Sequence, residues 1–379
     1  MSANRLKYLM FVVVATGIVI FAYGRIDYTN PKYATWDLHD YRAMAESVPG
    51  FTEDFRQPFV FRILGPYVAG LMPFSNDTNF LILSMLLGLA LPLLFYLYLS
   101  ESLVNPAIAA LSAIFFVLNK YLYGFSIWNY FQINDLFSQV AIVILIWAMI
   151  KQNWTLFGIT LFLGSLAKEV PLLVVPVAFL FAYQSKPRVP WLPVLFAVLP
   201  GILSVVVLRL VIHSSQGNNF IEAFLAYDQK ILSVDTWFRL LINSFVPLSL
   251  IPFIFFGSTR TYFRPRKYEI LFLVLVIVST FFGYNNERLM APAFIVFYSL
   301  LAFIVQNELA GLKVLLWVIS LETVLAVFHH TYARYPLPRE WTVPISLSAL
   351  VGVTIFSLTY KLKQLKLTLK RSGSGGMPA

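Results

Sequence analysis

The sequence predicts an all-α protein, a polytopic transmembrane helical bundle of about twelve spans. The first observation is composition: of the 379 residues, 59% are hydrophobic and 12% are charged, whereas soluble domains carry about 25% charged residues. The second observation is that apolar windows long enough to cross about 30 Å of hydrocarbon as helices recur from residue 8 to residue 360. These windows are continuous rather than alternating, which predicts helices and not barrel strands.

The apolar windows define the order of elements along the chain. A long loop, residues 25–79, follows the first window, and two stretches in it, 41–47 and 58–74, are predicted to form membrane-associated helices. The predicted spans are residues 8–24, 80–99, 106–119, 135–150, 154–167, 170–184, 190–212, 238–257, 268–283, 289–306, 312–328 and 342–360. An even number of spans places both termini on one side of the membrane.

The net charge of +10 is predicted to reflect membrane topology, and no nucleic-acid partner is expected. Lysines and arginines collect before the first span, in the loop 260–267 and after the last span, whereas most acids lie in the other loops. The positive-inside rule then predicts cytoplasmic N- and C-termini and an external loop 25–79. The basic loop and tail are expected to bind anionic lipid of the bilayer.

Cysteine and histidine usage limits the chemistry. Because the chain has no cysteine, disulfides, thiol nucleophiles and thiolate metal sites are excluded. The adjacent His329 and His330 have no carboxylate at ligand spacing, which disfavours a metal site there. A divalent metal stays possible, and no other cofactor is predicted. The Gly/Ser-rich residues 372–379 predict a flexible tail.

Ionisable residues collect at the predicted external boundary. Such groups in or beside hydrocarbon are costly unless paired or hydrated, so each indicates a functional position. They are Asp37, Asp40, Arg56 and Arg62 in the first external loop, Asp135 at the fourth span, Lys168 and Glu169 between two short spans, and Glu287 and Arg288 before the tenth span. Cations that bind a lipid phosphate, beside a carboxylate that accepts a hydroxyl proton, fit group transfer.

Each of these residues also has a structural explanation. Asp37 and Asp40 fit solvated loop acids, and Asp135 fits a helix N-cap. Lys168 with Glu169 fits a snorkelling pair at the membrane interface, and Glu287 with Arg288 fits a structural ion pair. The residue types alone leave both readings open.

The stretch 36–45, in which Asp37 precedes Tyr41 by four positions, followed by Gly50-Phe51, resembles the first external loop of GT-C glycosyltransferases. These are polytopic enzymes that use polyprenyl-phosphate sugars. The resemblance implies that Asp37 is the base that deprotonates the acceptor, with Asp40 as its partner or competitor. The long soluble C-terminal domain of oligosaccharyltransferases is missing, which disfavours that branch.

Other positions extend the resemblance. Asp135 matches the acidic position of the second external loop, although the Asp-x-Asp form of some members is absent. Lys168 resembles the lysine that follows a short fifth span in the aminoarabinose-transferase branch, where it would face the lipid phosphate. Glu287-Arg288, followed by Pro292, looks like the late external arginine of such enzymes.

The resemblance implies a division of the chain and a set of roles. Residues 1–213 would be a seven-span catalytic module, and residues 214–371 a variable transmembrane module. The implied catalytic residues are Asp37, Asp40 and Asp135, the donor phosphate ligands are Lys168, Arg288, Arg62 and Arg56, and the supporting residues are Glu169, Glu287, His39 and Tyr41. The partners would be a polyprenyl-phosphate-linked sugar and a glycan, lipid or protein acceptor at the external face.

Two alternative functions stay open. A Wzy-like polymerase or ligase would use a late external loop rich in arginine, but residues 214–237 contain Lys230 as their one cation. A lipid-linked-sugar flippase or transporter would distribute ionisable groups on both sides of a midplane site. Here these groups crowd on one side, and the chain has no internal repeat.

Overall fold

A computed structural model describes residues 3–50, 55–212, 227–283, 285–328 and 331–373. Within these ranges the chain is helical and contains no strand, apart from one isolated antiparallel bridge between Tyr23 and Ala333. The predicted all-helical fold is therefore confirmed. The predicted junction of the two modules, at residues 213 and 214, lies outside the described residues.

Nineteen α-helices are numbered here in chain order over the described residues. The first ten are α1 Ala3–Ala22, α2 Leu38–Glu46, α3 Leu64–Leu71, α4 Asn76–Ser102, α5 Pro106–Val117, α6 Phe125–Trp128, α7 Ile133–Ile150, α8 Trp154–Ala167, α9 Val174–Gln184 and α10 Trp191–Val211. The others are α11 Tyr227–Leu232, α12 Val234–Leu241, α13 Ile251–Ile254, α14 Phe256–Phe263, α15 Lys267–Thr280, α16 Asn286–Leu289, α17 Phe294–Ile304, α18 Lys313–Ala326 and α19 Arg339–Gly373.

Short helices of other types connect these elements. The 3-10 helices are Pro31–Tyr33, Phe59–Phe61, Val170–Leu173, Asn243–Phe245 and Ala291–Ala293, and the π-helices are Lys120–Gly124 and Val305–Leu309. The helices α2 and α3, with Phe59–Phe61, lie in the two loop stretches where helices are predicted. The helical content of the first long loop is therefore confirmed.

Several helices begin where a polar side chain caps free backbone amides. The Ser75 hydroxyl accepts from the Thr78 amide before α4, and the Asn153 side chain accepts from the Leu156 amide before α8. Asn105 accepts from two amides before α5, whose first residue is Pro106. Side-chain oxygens at this position satisfy amides that have no helical partner, and proline at the first helical position needs none.

Six helical segments are long and apolar enough to cross a membrane. They are α1, α4, α7, α10, Ala291–Leu309 and Arg339–Leu367. A seventh is possible if α5 and Lys120–Trp128, bent by 65° at their break, count as one span. The apolar segments Trp154–Ala167 and Val170–Gln184 are shorter. An integral membrane protein is supported, and the count of about twelve spans stays a prediction.

Two predicted boundaries are wrong. Residues 238–257 are not one helix, because α12, Asn243–Phe245 and α13 divide this segment. Pro247 and Pro252 supply no backbone N–H for a continuous helix there. The helix α19 extends to Gly373, so the predicted tail does not begin at residue 372. Residues 374–379 lie outside the described residues.

Contacts place both ends of the chain at one end of the helical bundle. Arg5 donates to the Ser100 carbonyl at 2.9 Å, and the Asn105 amide donates to Gln306 at 2.8 Å. Lys361, near the end of α19, lies 3.5 Å from Glu308. The membrane side that this end faces stays a prediction.

The inner and outer helices differ in burial. In the apolar windows of α7 and Ala291–Leu309, 72% and 78% of residues are buried, against 22% in α1 and in α10. The helix α7 packs between α4 and α8, and α8 packs against α10. Apolar side chains that remain exposed on α1 and α10 fit contact with lipid, because hydrocarbon is their favourable surroundings.

Candidate active site

Four charged side chains from distant parts of the chain meet at the end of the bundle opposite the termini. Asp37 precedes α2, Asp135 lies in the first turn of α7, Lys168 follows α8, and Arg288 lies in α16. The Lys168 Nζ atom is 2.6 Å from Asp135 Oδ1. Arg288 lies 3.5 Å from Asp135 Oδ2 through Nε and 3.7 Å from Asp37 Oδ2 through Nη2. These four residues are the charge cluster.

Asp37 is held from a second side by an amide. Gln132 Nε2 donates to Asp37 Oδ1 at 2.6 Å. Although Asp37 is the residue before α2, its side chain makes no capping hydrogen bond, so the carboxylate faces the cluster. Gln132 is not among the site residues predicted from the sequence. The sequence feature that could have indicated Gln132 is the group of amide side chains just before Asp135, Asn129, Gln132 and Asn134. All three are buried in the structure.

A second group of charges adjoins the cluster. Arg62 Nε lies 3.4 Å from Glu169 Oε2, and Arg209 Nη2 lies 3.3 Å from Glu169 Oε1. Arg62 also donates through Nη1 to the Tyr41 hydroxyl at 3.3 Å. Arg62, Glu169 and Arg209 are the arginine branch. Because Glu169 directly follows Lys168, the branch is joined to the charge cluster through the backbone.

The side chain of Asn134 fixes the position of Arg62. Its Nδ2 atom donates to the Arg62 carbonyl at 3.0 Å, and its Oδ1 atom accepts from the Gly65 amide at 3.0 Å. A Cβ atom at residue 65 would lie 2.5 Å from Asn134 Oδ1, so glycine is required for this close approach. The bond ties the start of α3 to the start of α7.

Exposure increases from the charge cluster to the end of the arginine branch. The exposed fraction of the side chain is 5% for Asp135, 11% for Arg62, 27% for Glu169 and 51% for Arg209. Burial lowers the pKa of Lys168, although Asp135 opposes this effect. Burial acts to raise the pKa of Glu169, but Arg62, a backbone hydrogen bond, Arg209 and Lys168 together outweigh it and lower that pKa. Ion pairing therefore keeps Glu169 charged despite its burial.

Asp40 and Arg56, two predicted site residues, form a separate pair. Arg56 Nη2 lies 2.5 Å from Asp40 Oδ2, and Arg56 Nε donates to the same carboxylate at 3.1 Å. The guanidinium also donates to the carbonyls of Thr35 and Trp36. The Asp40 carboxylate is thus bound to the Arg56 guanidinium, which is also bound to the loop that carries Asp37.

Glu287 faces away from Arg288 although the two are consecutive. Its Oε1 atom accepts from Asn243 Nδ2 at 2.9 Å and lies 4.0 Å from Arg239 Nε. The predicted pairing of Glu287 with Arg288 as a local unit is therefore not what the structure shows. His39 Nε2 is buried and has no hydrogen-bond partner among the described residues.

Aromatic rings form one wall of the charge cluster. The Arg288 guanidinium lies 5.2 Å from the centre of the Phe125 ring, and Phe125 contacts Trp36 and Trp128. Phe125 and Trp128 belong to the segment bent away from α5. The bend therefore brings rings against a guanidinium, where the ring face attracts the cation.

A cavity of about 440 Å³ lies beyond this wall. Its lining includes Trp128, the cations Arg25 and Arg334, and the backbone around Gly24 and Ala333. Trp36, which precedes Asp37, also packs against Trp128. The cavity is therefore next to the charge cluster but does not contain its charged groups.

Metal ligands are not grouped in the described part of the chain. Within those ranges, no three histidine, aspartate or glutamate side chains lie together as a metal-binding group. His329 and His330 lie outside the described residues. Comparison with family models, with curated proteins and with solved structures finds no match to this chain.

Proposed function

We propose that this chain is a membrane glycosyltransferase of the GT-C type. It moves a sugar from a polyprenyl-phosphate donor to an acceptor hydroxyl at the external face of the membrane. Asp37 acts as general base, and Lys168, Arg288 and Arg62 bind the donor phosphate. Asp135 positions Lys168 and Arg288 through its two ion pairs.

The observation that carries the proposal is the buried charge cluster. Asp37, Asp135, Lys168 and Arg288 are each less than one fifth exposed, and they come from four separate segments. Removing charges from water costs several kcal/mol per ion, which pairing repays only in part. Apolar residues at these positions would cost a membrane bundle less free energy. The presence of four charged residues there therefore favours a functional role for them.

The spacing within the cluster favours phosphate binding. Charge-assisted N–H···O bonds are about 2.7–2.9 Å long, but the Arg288 contacts with Asp135 and Asp37 are 3.5 and 3.7 Å. Arg288 Nε has no hydrogen-bond partner among the described residues. The guanidinium can therefore donate a further hydrogen bond to a phosphate oxygen while it remains beside both carboxylates.

The proposed reaction is a displacement at the anomeric carbon. The acceptor oxygen forms a bond to that carbon while the bond from the carbon to the phosphate oxygen breaks. The hydroxyl proton passes to the Asp37 carboxylate. The lipid phosphate leaves with one additional negative charge, which Lys168 and Arg288 stabilise as it develops.

The geometry favours Asp37 over Asp40 as the base. The Asp40 carboxylate is bound by two nitrogens of the charged Arg56 guanidinium, at 2.5 and 3.1 Å, whereas Asp37 accepts a hydrogen bond from the neutral amide of Gln132 at 2.6 Å and lies 3.7 Å from Arg288. A strongly bound carboxylate has fewer lone pairs free for a proton. Asp37 is also close to the cations that would hold the departing phosphate, and it would take the proton from the acceptor hydroxyl that attacks the anomeric carbon on the side opposite that phosphate.

The direct test uses the full chain in lipid nanodiscs with a panel of radiolabelled polyprenyl-phosphate sugars and sugar-lipid or peptide acceptors. A transferase converts donor to polyprenyl phosphate only when an acceptor is present, and the label moves to the acceptor. A transporter in sealed vesicles would instead move the intact donor between leaflets. Movement of intact donor without label transfer would contradict the proposal.

A further inference from the structure

We propose that Arg209 and Glu169 form a lipid-facing entrance at which the phosphate of a polyprenyl phosphate first binds. The inference rests on the proposed function and adds the route by which the donor lipid reaches the charge cluster. Arg209 lies in the last turn of α10, a candidate membrane span. Its side chain is half exposed, in contrast to the buried cations of the cluster.

The helix α10 exposes apolar side chains over most of its surface, and one row of them leads to Arg209. Residues at spacings of three and four share one face of a helix. Leu195, Leu199, Ile202 and Val206 follow this spacing, and their exposed fractions are 44%, 36%, 38% and 46%. Arg209 is the next position in the same series. An isoprenoid chain on this row would place its phosphate at the guanidinium.

The surroundings of Arg209 fix it at the site end of the helix. Its guanidinium carbon lies 5.2 Å from the centre of the Phe61 ring. Phe61, Val60 and Ile212 form a small apolar cluster, separate from the main core, with Phe55 and Leu208 packed against it. This apolar cluster connects the first long loop to the end of α10. Its member Phe61 directly precedes Arg62 in the chain.

The excess of cations, and their order from Arg209 through Arg62 to the charge cluster, favour an anion that binds at Arg209 and then moves inward. The charge cluster and the arginine branch together hold four cations, Arg62, Lys168, Arg209 and Arg288, against three carboxylates, Asp37, Asp135 and Glu169. A phosphate anion would balance the remaining positive charge. It would compete with Glu169 for Arg209 and then for Arg62, which is next to the buried cluster.

The experiment measures binding of polyprenyl phosphate to the full chain in nanodiscs, with the free polyprenol and inorganic phosphate as comparison probes. Arg209→Ala should weaken polyprenyl phosphate binding by about two- to fivefold, as expected for a partly solvated charge contact. Binding of polyprenol should not change. Arg188→Ala is the matched control. Arg188 is an exposed arginine that lies just before the first residue of α10, at the end of the helix opposite to Arg209.

Glu169→Gln supplies a test of opposite sign. It removes the carboxylate that competes for Arg209 and Arg62, so polyprenyl phosphate should bind about two- to fivefold more tightly. A purely structural role for Glu169 would not increase affinity. Unchanged or weaker binding in Glu169→Gln would overturn the entrance.

The remaining outcomes separate the entrance from the proposed function. Equal losses in Arg209→Ala and Arg188→Ala would overturn the entrance, since a general surface-charge effect would explain both. Loss of binding in Lys168→Ala but not in Arg209→Ala would overturn the entrance and leave the transferase proposal standing. A wild-type chain that binds polyprenol or inorganic phosphate as well as polyprenyl phosphate would overturn both.

Discussion

Arg288 Nη2 lies 3.7 Å from Asp37 Oδ2, so a residue of the late short helix α16 contacts the loop before α2. The same guanidinium lies 3.5 Å from Asp135 Oδ2. Arg288 thus bridges the carboxylate proposed as base and the carboxylate that holds Lys168. The two predicted modules, residues 1–213 and 214–371, therefore both contribute to one site.

Asp37→Asn is expected to lower turnover by about 100-fold to 10,000-fold, the usual contribution of general-base catalysis. Asparagine keeps the size of the side chain but cannot accept the proton. The measurement is label transfer under saturating donor, with thermal unfolding as the folding check. Asp40→Asn is the control: it should weaken the pair with Arg56 and leave most of the turnover. The reverse pattern would identify Asp40 as the base.

Lys168→Met is expected to destabilise the protein by about 3–5 kcal/mol, because it removes one partner of a buried ion pair. Donor binding should weaken by about one to two orders of magnitude, from a charge-assisted contact of about 1.5–3 kcal/mol. The double variant Lys168→Met/Asp135→Asn separates the two effects. It should recover part of the stability, because Arg288 also loses its contact with Asp135, and it should not recover donor affinity. Recovery of both would show that Lys168 has a structural role only.

Donor binding is expected to weaken as pH rises, at a lower pH than an ordinary lysine would require. Burial lowers the pKa of Lys168, so this side chain loses its charge earlier on the alkaline side. The charged groups around it are Asp135, Arg62 and Arg288. Lys168→Arg should remove the alkaline loss, because arginine stays protonated. An identical pH profile in that variant would contradict the assignment.

Gly65→Ala is expected to destabilise the protein by about 1–3 kcal/mol, the usual effect of overpacking. The added Cβ would lie 2.5 Å from Asn134 Oδ1 and 2.8 Å from Ile133 Cγ1. It should also weaken donor binding, since Asn134 fixes the Arg62 backbone. Gly17→Ala is the matched control, because a Cβ there has no atom within 4 Å. Equal stability of the two variants would refute the close approach.

Cysteine labelling is expected to place the two ends of the bundle on opposite membrane sides. The chain has no native cysteine, so single substitutions give a clean signal. Cysteine at the exposed Lys32 should react with an impermeant reagent added outside, and cysteine at the exposed Lys186 only after permeabilisation. The opposite result would invert the predicted topology and place the proposed active site in the cytoplasm.

The sequence by itself determined the class of fold. Apolar composition and window length fix helices in a membrane, because a spanning backbone must satisfy its own hydrogen bonds. The sequence also determined which charges are unusual, since a cation or carboxylate beside hydrocarbon needs a partner. It predicted eleven site residues, of which Asp37, Asp135, Lys168 and Arg288 meet in the charge cluster, whereas Asp40, Arg56 and Glu287 have other partners.

Only the tertiary structure decided which partner each charge faces. Helix rotation and loop packing direct consecutive residues to different neighbours, so Glu287 contacts Asn243 while Arg288 contacts Asp37. For the same reason, Asp40 pairs with Arg56, and Asp37 accepts a hydrogen bond from Gln132. Sequence spacing carries no information on contacts between segments so far apart. Arg209 therefore looks like an isolated arginine in a span, until folding brings it to Glu169.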